Sequence, residues 1–441
     1  MNSNIEPGDV FITNDPYAGG SHLPDVTVLT PFFYEGDGPV FWLANRAHHA
    51  EIGGIAPGSM PARATRLEEE GVLIENFQIV KHGRSQFELL RQILSTAKFP
   101  SRNPDENIAD ITAQIAANQM GCDQLNHLIE RNSLNTVSAY AEHIRSAAES
   151  KIKSALGNMP DFDRKFEDQM DDGTRLCVRM IKTNSQMAIN FDGSDDVHKG
   201  NLNANRSIVS STVMYVLRCL IDENIPLNSG VLRAVSIELP EDCFLNPSAG
   251  KDRASCPAIV GGNVETSQRL VDVMLGCIGV AAASQGTMNN WLIGDSGFGY
   301  YETIGGGSGA TADTDGADAI HCHMSNTRLT DPEILETRYP MILREFAIRQ
   351  DSGGAGRCCG GNGMIREIEF TRELTLSILA SRRTTQPFGL EGGGPGLAGE
   401  AKLIRADHTV EILASQCECQ VRIGDRLRIA TPGGGGFGDA Q

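Results

Sequence analysis

The sequence has 441 residues, of which 40% are hydrophobic and 21% charged, and its formal net charge is −18. This is the profile of a globular protein long enough for two or three domains. The acidic balance argues against nucleic acid or an anionic membrane as partner, and no run of about 18 apolar residues predicts a membrane-spanning helix. The start, MNSNIEPGDV, lacks the basic and apolar regions of a signal peptide, which predicts a cytoplasmic location.

Residues 1–84 are predicted to form an N-terminal β segment that carries two candidate metal loops. The stretches FIT, VTVLTPFF and VFWLA are β-branched and aromatic, and turn residues separate them. Pro31 lies inside the second stretch, which indicates an edge or a bulge. The run VLIENFQIVK at 72–81 is a candidate for a further strand.

Residues 85–156 are predicted to form a helical lobe inserted between β segments. Apolar residues recur there with helical spacing, for example at Ile108, Ile111 and Ile115. Asp105 and Asn135 are the predicted caps at the starts of two of these helices.

Residues 157–441 are predicted to form a mixed region of strands and helices with glycine-rich loops. Two strands, RLCVRMI and SQMAINFDG, precede a helix near 208–222, a second helix lies in ETSQRLVDVMLGCIGVAAAS, and short strands fill the last hundred residues. The 48 glycines are clustered, which predicts turns that build a surface or a cleft. The fold class is therefore predicted as α+β, a mixed, β-rich, multi-lobed fold with an inserted helical lobe, interwoven as one unit.

The eleven cysteines are scattered and form no C-x-x-C pair. This excludes a zinc ribbon and a thioredoxin-type motif, and predicts reduced thiols in a cytoplasmic protein. Cys417 and Cys419 form one C-x-C, which is better explained as two residues on the same face of a strand.

The first candidate site lies in the N-terminal loops. His22 and Asp25 share the loop SHLPD, and the motif RAHHAEIGG places His48 and His49 after a hairpin. Zinc and manganese accept imidazole and carboxylate ligands, and a catalytic site keeps one position open for water. Spacing alone favours the alternative, in which Asp25 caps a turn and the histidines are surface groups.

The second candidate lies in ADAIHCHMSNTRLTDPEILETRYP. Alternation predicts that His321 and His323 share one face of a strand. Arg328 follows in a loop and is suited to binding a carboxylate or a phosphate. A strand-to-helix junction with a structural ion pair is an equally good interpretation.

The third candidate is the loop GGNVETSQR, which runs into a helix whose free N–H groups favour anions. Asn263 and Glu265 lie in it, and we take both as candidate catalytic residues together with His321, His323 and Arg328. Cys256, just upstream, is better interpreted as a buried thiol than as a nucleophile. The sequence contains no P-loop and no G-x-S-x-G nucleophile motif, so it offers no familiar site for ATP.

Nine stretches in order carry a resemblance to a known family: NDPYAGGSHLPD, RAHHAEIGGIAPGSM, EEEGVLIENFQIVKHG, GGNVETSQR, QGTMNN, YYETIGGGSGA, HCHMSNTRLTDPEILETRYP, GLEGGGPGLAGE and TPGGGGFGD. Together they span residues 7–439 and resemble the hydantoinase B family. Within it, SRNPDENIADITAQIAANQMG and PGSMPARATRLEEEG resemble the oxoprolinase branch.

The resemblance implies a hydrolase subunit that acts on an ATP-activated cyclic amide, such as 5-oxoproline or a hydantoin. A hydantoinase A-type partner, fused or separate, uses ATP to phosphorylate the carbonyl oxygen, and the two parts form a hetero-oligomer. The related acetone carboxylases hold a metal with a His-x-x-Asp pair and a later histidine. Carried over to this sequence, the ligands of a divalent metal, Zn or Mn, are His22, Asp25 and His48, with His48 preferred over His49.

One departure from the family pattern leaves alternatives open. Family members carry a further N-terminal segment before the GDVF strand, with an acidic residue expected to help bind the metal, and MNSNIEPGDV does not match it. We therefore expect a site that is incomplete, inactive or completed by another chain. The alternatives are the metal subunit of an acetone-carboxylase-like carboxylase, and a truncated, non-catalytic structural subunit.

Overall fold

A computed structural model describes residues 5–36, 38–58, 60–221 and 227–440. The N-terminal region forms an antiparallel sheet with strand order β3-β2-β1-β4-β5. Its strands are β1 (Val10–Thr13), β2 (Asp25–Phe33), β3 (Pro39–His48), β4 (Phe77–Lys81) and β5 (Arg84–Ser85). Only the second half of the candidate strand at 72–81 is a strand. Pro31 lies beyond the end of β1, where its missing N–H removes no ladder hydrogen bond.

Three helices follow, α1 (Phe87–Thr96), α2 (Pro104–Asn132) and α3 (Leu134–Asn158). The predicted caps Asp105 and Asn135 are wrong, because Asn103 and Ser133 occupy the N-cap positions of α2 and α3. Each of their side chains accepts a hydrogen bond from the backbone N–H three residues on. Pro104 takes the first helical position of α2, where the absent N–H needs no partner.

Helix α2 covers one face of the N-terminal sheet and leaves the other face open near β2 and β3. Side chains of Gln114 and Asn118 donate hydrogen bonds to the β2 backbone and to Asn45 of β3, with Asn118 also accepting from Asn45. Alternate residues of a strand point to opposite faces. Trp42 and His48 therefore lie on the open face, where Trp42 is 47% exposed.

The middle of the chain builds a second sheet, with strand order β6-β7-β8-β9. Its elements are β6 (Phe162–Gln169), β7 (Arg175–Thr183), β8 (Gln186–Asn190), α4 (Arg206–Cys219), β9 (Val235–Glu238) and α5 (Ser267–Ile278). Every residue of α5 is buried, because the helix packs between α4 and this sheet. A single π-helical turn, Gly262–Thr266, leads into α5.

The last 150 residues form two further antiparallel sheets, β11-β10-β14-β17 and β12-β13-β18-β15-β16. The elements are β10 (Asn290–Gly294), β11 (Gly299–Glu302), α6 (Pro332–Arg338), β12 (Met341–Arg349), β13 (Gly363–Phe370), β14 (Leu374–Leu379), β15 (Glu400–Ile404), β16 (Val410–Ile412), β17 (Gln416–Val421) and β18 (Arg426–Ala430). Cys417 and Cys419 share one face of β17, as predicted, and pack on the core between the sheets.

The glycine clusters at 305–307, 360–361 and 433–436 are buried segments that run side by side, so the prediction of turns is wrong for them. The Gly434 N–H donates to Gly361 O at 2.9 Å, and the Gly361 N–H donates to Ser308 O at 2.9 Å. A Cβ atom on Gly434 would lie 1.9 Å from Ser308 O. Glycine is required here because neighbouring backbones touch, with no side chain between them.

The predicted α+β class is confirmed, since helices and several sheets alternate along the chain. Helices α1 to α3 lie between β5 and β6, where a helical insertion is expected. The division of the chain at residues 84 and 156 stays a prediction. Within the described part of the chain, none of the helices is both long and apolar enough to cross a membrane.

Candidate metal centre

Three side chains converge at the open face of the N-terminal sheet. Asp25 begins β2, His48 ends β3, and the two residues are directly opposite each other in the register. His22 lies in the loop that leads into β2. Its Nδ1 is 3.1 Å from one carboxylate oxygen of Asp25, and Nδ1 of His48 is 3.2 Å from the other. One donor atom from each residue lies within 4.8 Å of the others.

Two buried asparagines hold the loop that carries His22. The Asn14 amide donates to Leu23 O at 2.8 Å. The Asn205 amide donates to Gly20 O at 3.0 Å, while its side-chain oxygen caps the start of α4. Because the loop is hydrogen-bonded on both sides of His22, the imidazole is already in place before any ligand binds.

The donor set fits a divalent cation. Two imidazoles and a carboxylate are ligands that zinc and manganese accept, and three protein ligands leave room for a non-protein ligand. Burial alone would raise the pKa of Asp25, but the facing imidazoles of His22 and His48 hold it well below its usual range. Nδ1 of His22 is buried, and its 3.1 Å contact with the Asp25 carboxylate lacks hydrogen-bond geometry, so a bound cation would give both groups a common partner.

Residues from the second half of the chain close the centre on its other side. The Asn263 amide nitrogen lies 3.4 Å from Nε2 of His22. The ring of Tyr301 lies 5.8 Å from that of His48, centroid to centroid. The Tyr301 hydroxyl donates to Asn290 Oδ1 at 3.0 Å. The centre therefore lies between the open sheet face, the turn before α5, and strand β11.

Glu265 is a buried carboxyl in the turn that also carries Asn263. One of its oxygens accepts a hydrogen bond from the Met288 N–H at 3.1 Å, and the other has no hydrogen-bond partner among the described residues. Burial raises the pKa of Glu265 to about 8, so the group is mostly protonated at neutral pH. Burial also raises the pKa of Tyr301 to about 12, and the Glu265 charge contributes to that rise.

The second candidate site differs from its prediction. Residues 321–331 form turns and loop, so the prediction of one strand face is wrong. His323 has φ 58° and pairs with Asp272 at 3.2 Å, while His321 hydrogen-bonds Ser325 at 2.8 Å. Because a positive φ at His323 reverses the chain, the two imidazoles turn to different partners. Arg328 is exposed and forms no ion pair with a described residue.

The structure also separates the two adjacent histidines. His48 faces the centre, whereas His49 is buried on the α2 side, with Nδ1 3.1 Å from the Asn107 amide nitrogen. Tyr301 and Asn290 were missed as site residues from the sequence. The sequence signal that could have found them is the family pattern: Asn290 ends the stretch QGTMNN, and Tyr301 lies in YYET, which begins about ten residues later.

The chain matches the model of the hydantoinase B/oxoprolinase family over residues 1–440. It belongs to this family. The resemblance found in the sequence is thereby confirmed. The chain is 44% identical to 5-oxoprolinase 1 of Arabidopsis thaliana, over 99% of this chain and 36% of that protein. It spans about a third of the length of the first curated relatives that it matches.

Two solved structures of relatives share the fold. The ATP-dependent caprolactamase from Pseudomonas jessenii has a TM-score of 0.86 and 23% identity, over 99% of this chain and 78% of that one. Acetone carboxylase has a TM-score of 0.83 and 18% identity, over 99% of this chain and 66% of that one. At these identities the likeness shows a shared fold and nothing further about the site.

Proposed function

We propose that this chain is the ring-opening part of an ATP-dependent cyclic amide hydrolase. Its substrate is 5-oxoproline or a hydantoin, and it works with an ATP-using hydantoinase A-type partner in a hetero-oligomer. The observation that carries the proposal is the cluster of His22, Asp25 and His48 in a chain of the hydantoinase B/oxoprolinase family. The names of two relatives, 5-oxoprolinase and caprolactamase, support a lactam as substrate.

The division of labour follows from amide chemistry. An amide carbon is a poor electrophile and its nitrogen is a poor leaving group. Phosphorylation of the carbonyl oxygen by the partner makes the ring carbon electrophilic, after which water adds and the C–N bond breaks. The acyl phosphate that this leaves is hydrolysed by a second water to the carboxylate and inorganic phosphate. A divalent metal held by His22, Asp25 and His48 would supply Lewis acidity and would lower the pKa of a bound water molecule to near neutral pH.

The chain's own residues then position groups and handle protons. Asn263 orients the His22 imidazole, and Tyr301 packs on His48 and limits its movement. We assign Glu265 as the proton donor to the leaving nitrogen, because it lies in the turn that carries Asn263 to the centre and its pKa is raised by burial to about 8. As the C–N bond breaks, nitrogen takes the electron pair and the Glu265 proton.

The other three predicted catalytic residues have less support for a catalytic role. His323 pairs with the buried Asp272 and is a second candidate for proton transfer. His321 has a buried Nε2 without a hydrogen-bond partner among the described residues. Arg328, exposed on its loop, is the least supported of the three.

The test combines the full chain, an A-type partner, ATP and Mn²⁺ or Zn²⁺ with 5-oxoproline, and measures the ring-opened amino acid. We expect metal-dependent opening that His22→Ala abolishes. His143→Ala, an exposed position on α3, is the matched control and should keep full activity. Unchanged ring opening by the His22→Ala variant would refute the metal role.

The same experiment separates the alternatives. The fold shared with acetone carboxylase favours a carboxylase as second candidate, which would consume bicarbonate and a ketone instead of opening a ring. The 44% identity to a 5-oxoprolinase weighs against it. A non-catalytic structural subunit would bind the partner equally well with and without His22 and would hold no metal in elemental analysis.

A further inference from the structure

Arg46 lies beside the candidate metal centre, on the same face of the sheet. It is two residues before His48 on β3, so the two side chains point to the open face, with Cα atoms about 7 Å apart. In the register, Arg46 is opposite Thr27 just as His48 is opposite Asp25. The guanidinium therefore neighbours the three candidate ligands, on the side away from α2.

Hydrogen bonds to neutral groups hold this guanidinium in place. Its Nε donates to Thr27 Oγ1 at 2.9 Å, and one Nη donates to Gly19 O at 3.1 Å. Gly19 lies three residues before His22, so the contact joins Arg46 to the metal loop. The side chain is exposed. No described carboxylate forms an ion pair with Arg46, and its other Nη donates to no described residue.

An oriented cation that forms no ion pair with a described residue is suited to binding an oxyanion. Guanidinium N–H groups match the two oxygens of a carboxylate or phosphate. The chain carries a net charge of −18, so an anionic substrate needs a local cation to offset repulsion. Arg46 supplies that charge next to the candidate metal centre.

We propose that Arg46 is the anion-binding residue of this site and that it holds an oxyanion of the activated cyclic amide. Two groups share this chemistry: the phosphoryl group placed on the amide oxygen, and the carboxylate of a substrate such as 5-oxoproline. The inference rests on the proposed function for the origin of the anion. The position, hydrogen bonds and unpaired charge of Arg46 are independent of it.

A binding experiment on the full chain alone tests the anion site. Calorimetry would measure the affinities of inorganic phosphate, 5-oxoproline and the uncharged lactam 2-pyrrolidinone. Arg46→Gln should lower the affinity for at least one of the two anions by roughly 10- to 100-fold and leave the affinity for 2-pyrrolidinone unchanged. Arg46→Lys should fall between Arg46→Gln and wild type, because it keeps the charge without the planar fork.

The matched control is Arg84→Gln, an exposed arginine on β5 at the opposite edge of the same sheet. It should bind both anions like wild type. Melting temperatures of all three variants would show that each is folded. Equal anion binding by Arg46→Gln and Arg84→Gln would overturn the inference, and so would a wild-type chain that binds neither anion.

Turnover with the A-type partner and ATP identifies the anion. If Arg46 binds the carboxylate, Arg46→Gln raises KM for 5-oxoproline and leaves 2-pyrrolidinone turnover unchanged. If it binds the phosphoryl group, turnover of both lactams falls. A wild-type chain that opens no ring but binds anions through Arg46 would refute the proposed function and keep the anion site.

Discussion

Two regions of this protein are rich in glycine and loop-like in sequence, yet their backbones are held in different ways. Around the candidate metal centre, side chains fix the backbone: the amides of Asn14 and Asn205 donate hydrogen bonds to the loop that carries His22. In the C-terminal half, the N–H groups of Gly361 and Gly434 donate to carbonyls of neighbouring segments, which pack backbone against backbone. Glycine clusters therefore serve two purposes in this protein: loops of a candidate site, and close packing between segments.

The largest loss of stability is expected from adding a methyl group to the glycine segments around Gly361 and Gly434, where backbones pack directly against each other. In Gly434→Ala the new Cβ would lie 1.9 Å from Ser308 O and 2.8 Å from Gly309 N. Backbone atoms cannot swing aside as side chains do, so we expect a loss of about 3 kcal/mol or more in the free energy of unfolding. Urea unfolding followed by circular dichroism measures it.

Gly36→Ala is the control for this substitution, because the one described atom that its Cβ would meet within 4 Å is Tyr34 O, at 3.7 Å. It should unfold within about 0.5 kcal/mol of wild type. A Gly434→Ala variant as stable as Gly36→Ala would show that the glycine segments tolerate side chains, and the contrast between the two regions would be lost.

The second effect belongs to the metal region. Asp25→Asn keeps the side-chain shape but removes the charge that faces both His22 and His48. Losing groups that merely support ligands costs 10- to 100-fold in metal affinity, so losing a ligand charge should cost more than about 100-fold. Metal competition assays measure this, with the exposed Asp110→Asn as control.

If Asp25→Asn bound metal as tightly as Asp110→Asn, the cluster would be a hydrogen-bonded turn. That is the alternative that spacing alone favours. A large loss of stability in Asp25→Asn without a loss of metal affinity would likewise indicate a hydrogen-bonded turn.

The sequence predicts local features well, because local physics decides them. Alternation and turn residues indicate the β2–β3 hairpin, and that hairpin alone brings Asp25 opposite His48. The approach of Tyr301 to His48 joins residues about 250 positions apart, and no periodicity encodes it. The alternation of His321 and His323 predicts a strand, but the left-handed turn at His323 is set by its contacts with Asp272 and Tyr215.

The third effect is expected at Asn263, whose amide lies 3.4 Å from Nε2 of His22. Asn263→Ala removes a group that orients a ligand without removing the ligand. We expect metal affinity to fall about 10-fold, at the lower end of the range for supporting residues. Asn126→Ala, on the exposed side of α2, should change nothing. An affinity loss equal to that of Asp25→Asn would mean that Asn263 contacts the metal itself.

The last effect concerns Glu70, which joins the N-terminal region to the segment that leads into the turn before α5. One of its carboxyl oxygens accepts hydrogen bonds from the Ile259 and Val260 N–H groups, both at 2.8 Å. The other oxygen is buried without a hydrogen-bond partner among the described residues. Burial raises the pKa of Glu70 from its usual 4.5 to about 8.

This shift makes stability fall as pH rises. Between pH 4.5 and about 8 the folded chain keeps the Glu70 proton that the unfolded chain has lost, so each pH unit lowers the free energy of unfolding by up to about 1.4 kcal/mol. Glu70→Gln keeps an acceptor for both N–H groups and removes the titration. Its pH slope, from urea unfolding at several pH values, should be shallower than that of wild type and of the exposed control Glu88→Gln.

Glu265 has a pKa raised in the same way, so the Glu70→Gln variant should retain part of the slope. An unchanged slope would mean that Glu70 is ionised in the folded chain. A carboxylate there would need a cation that the structure does not place beside it, since only backbone N–H groups face its bound oxygen. The slope therefore reports whether the contact between the two halves of the protein is held by a neutral carboxyl or by a charge.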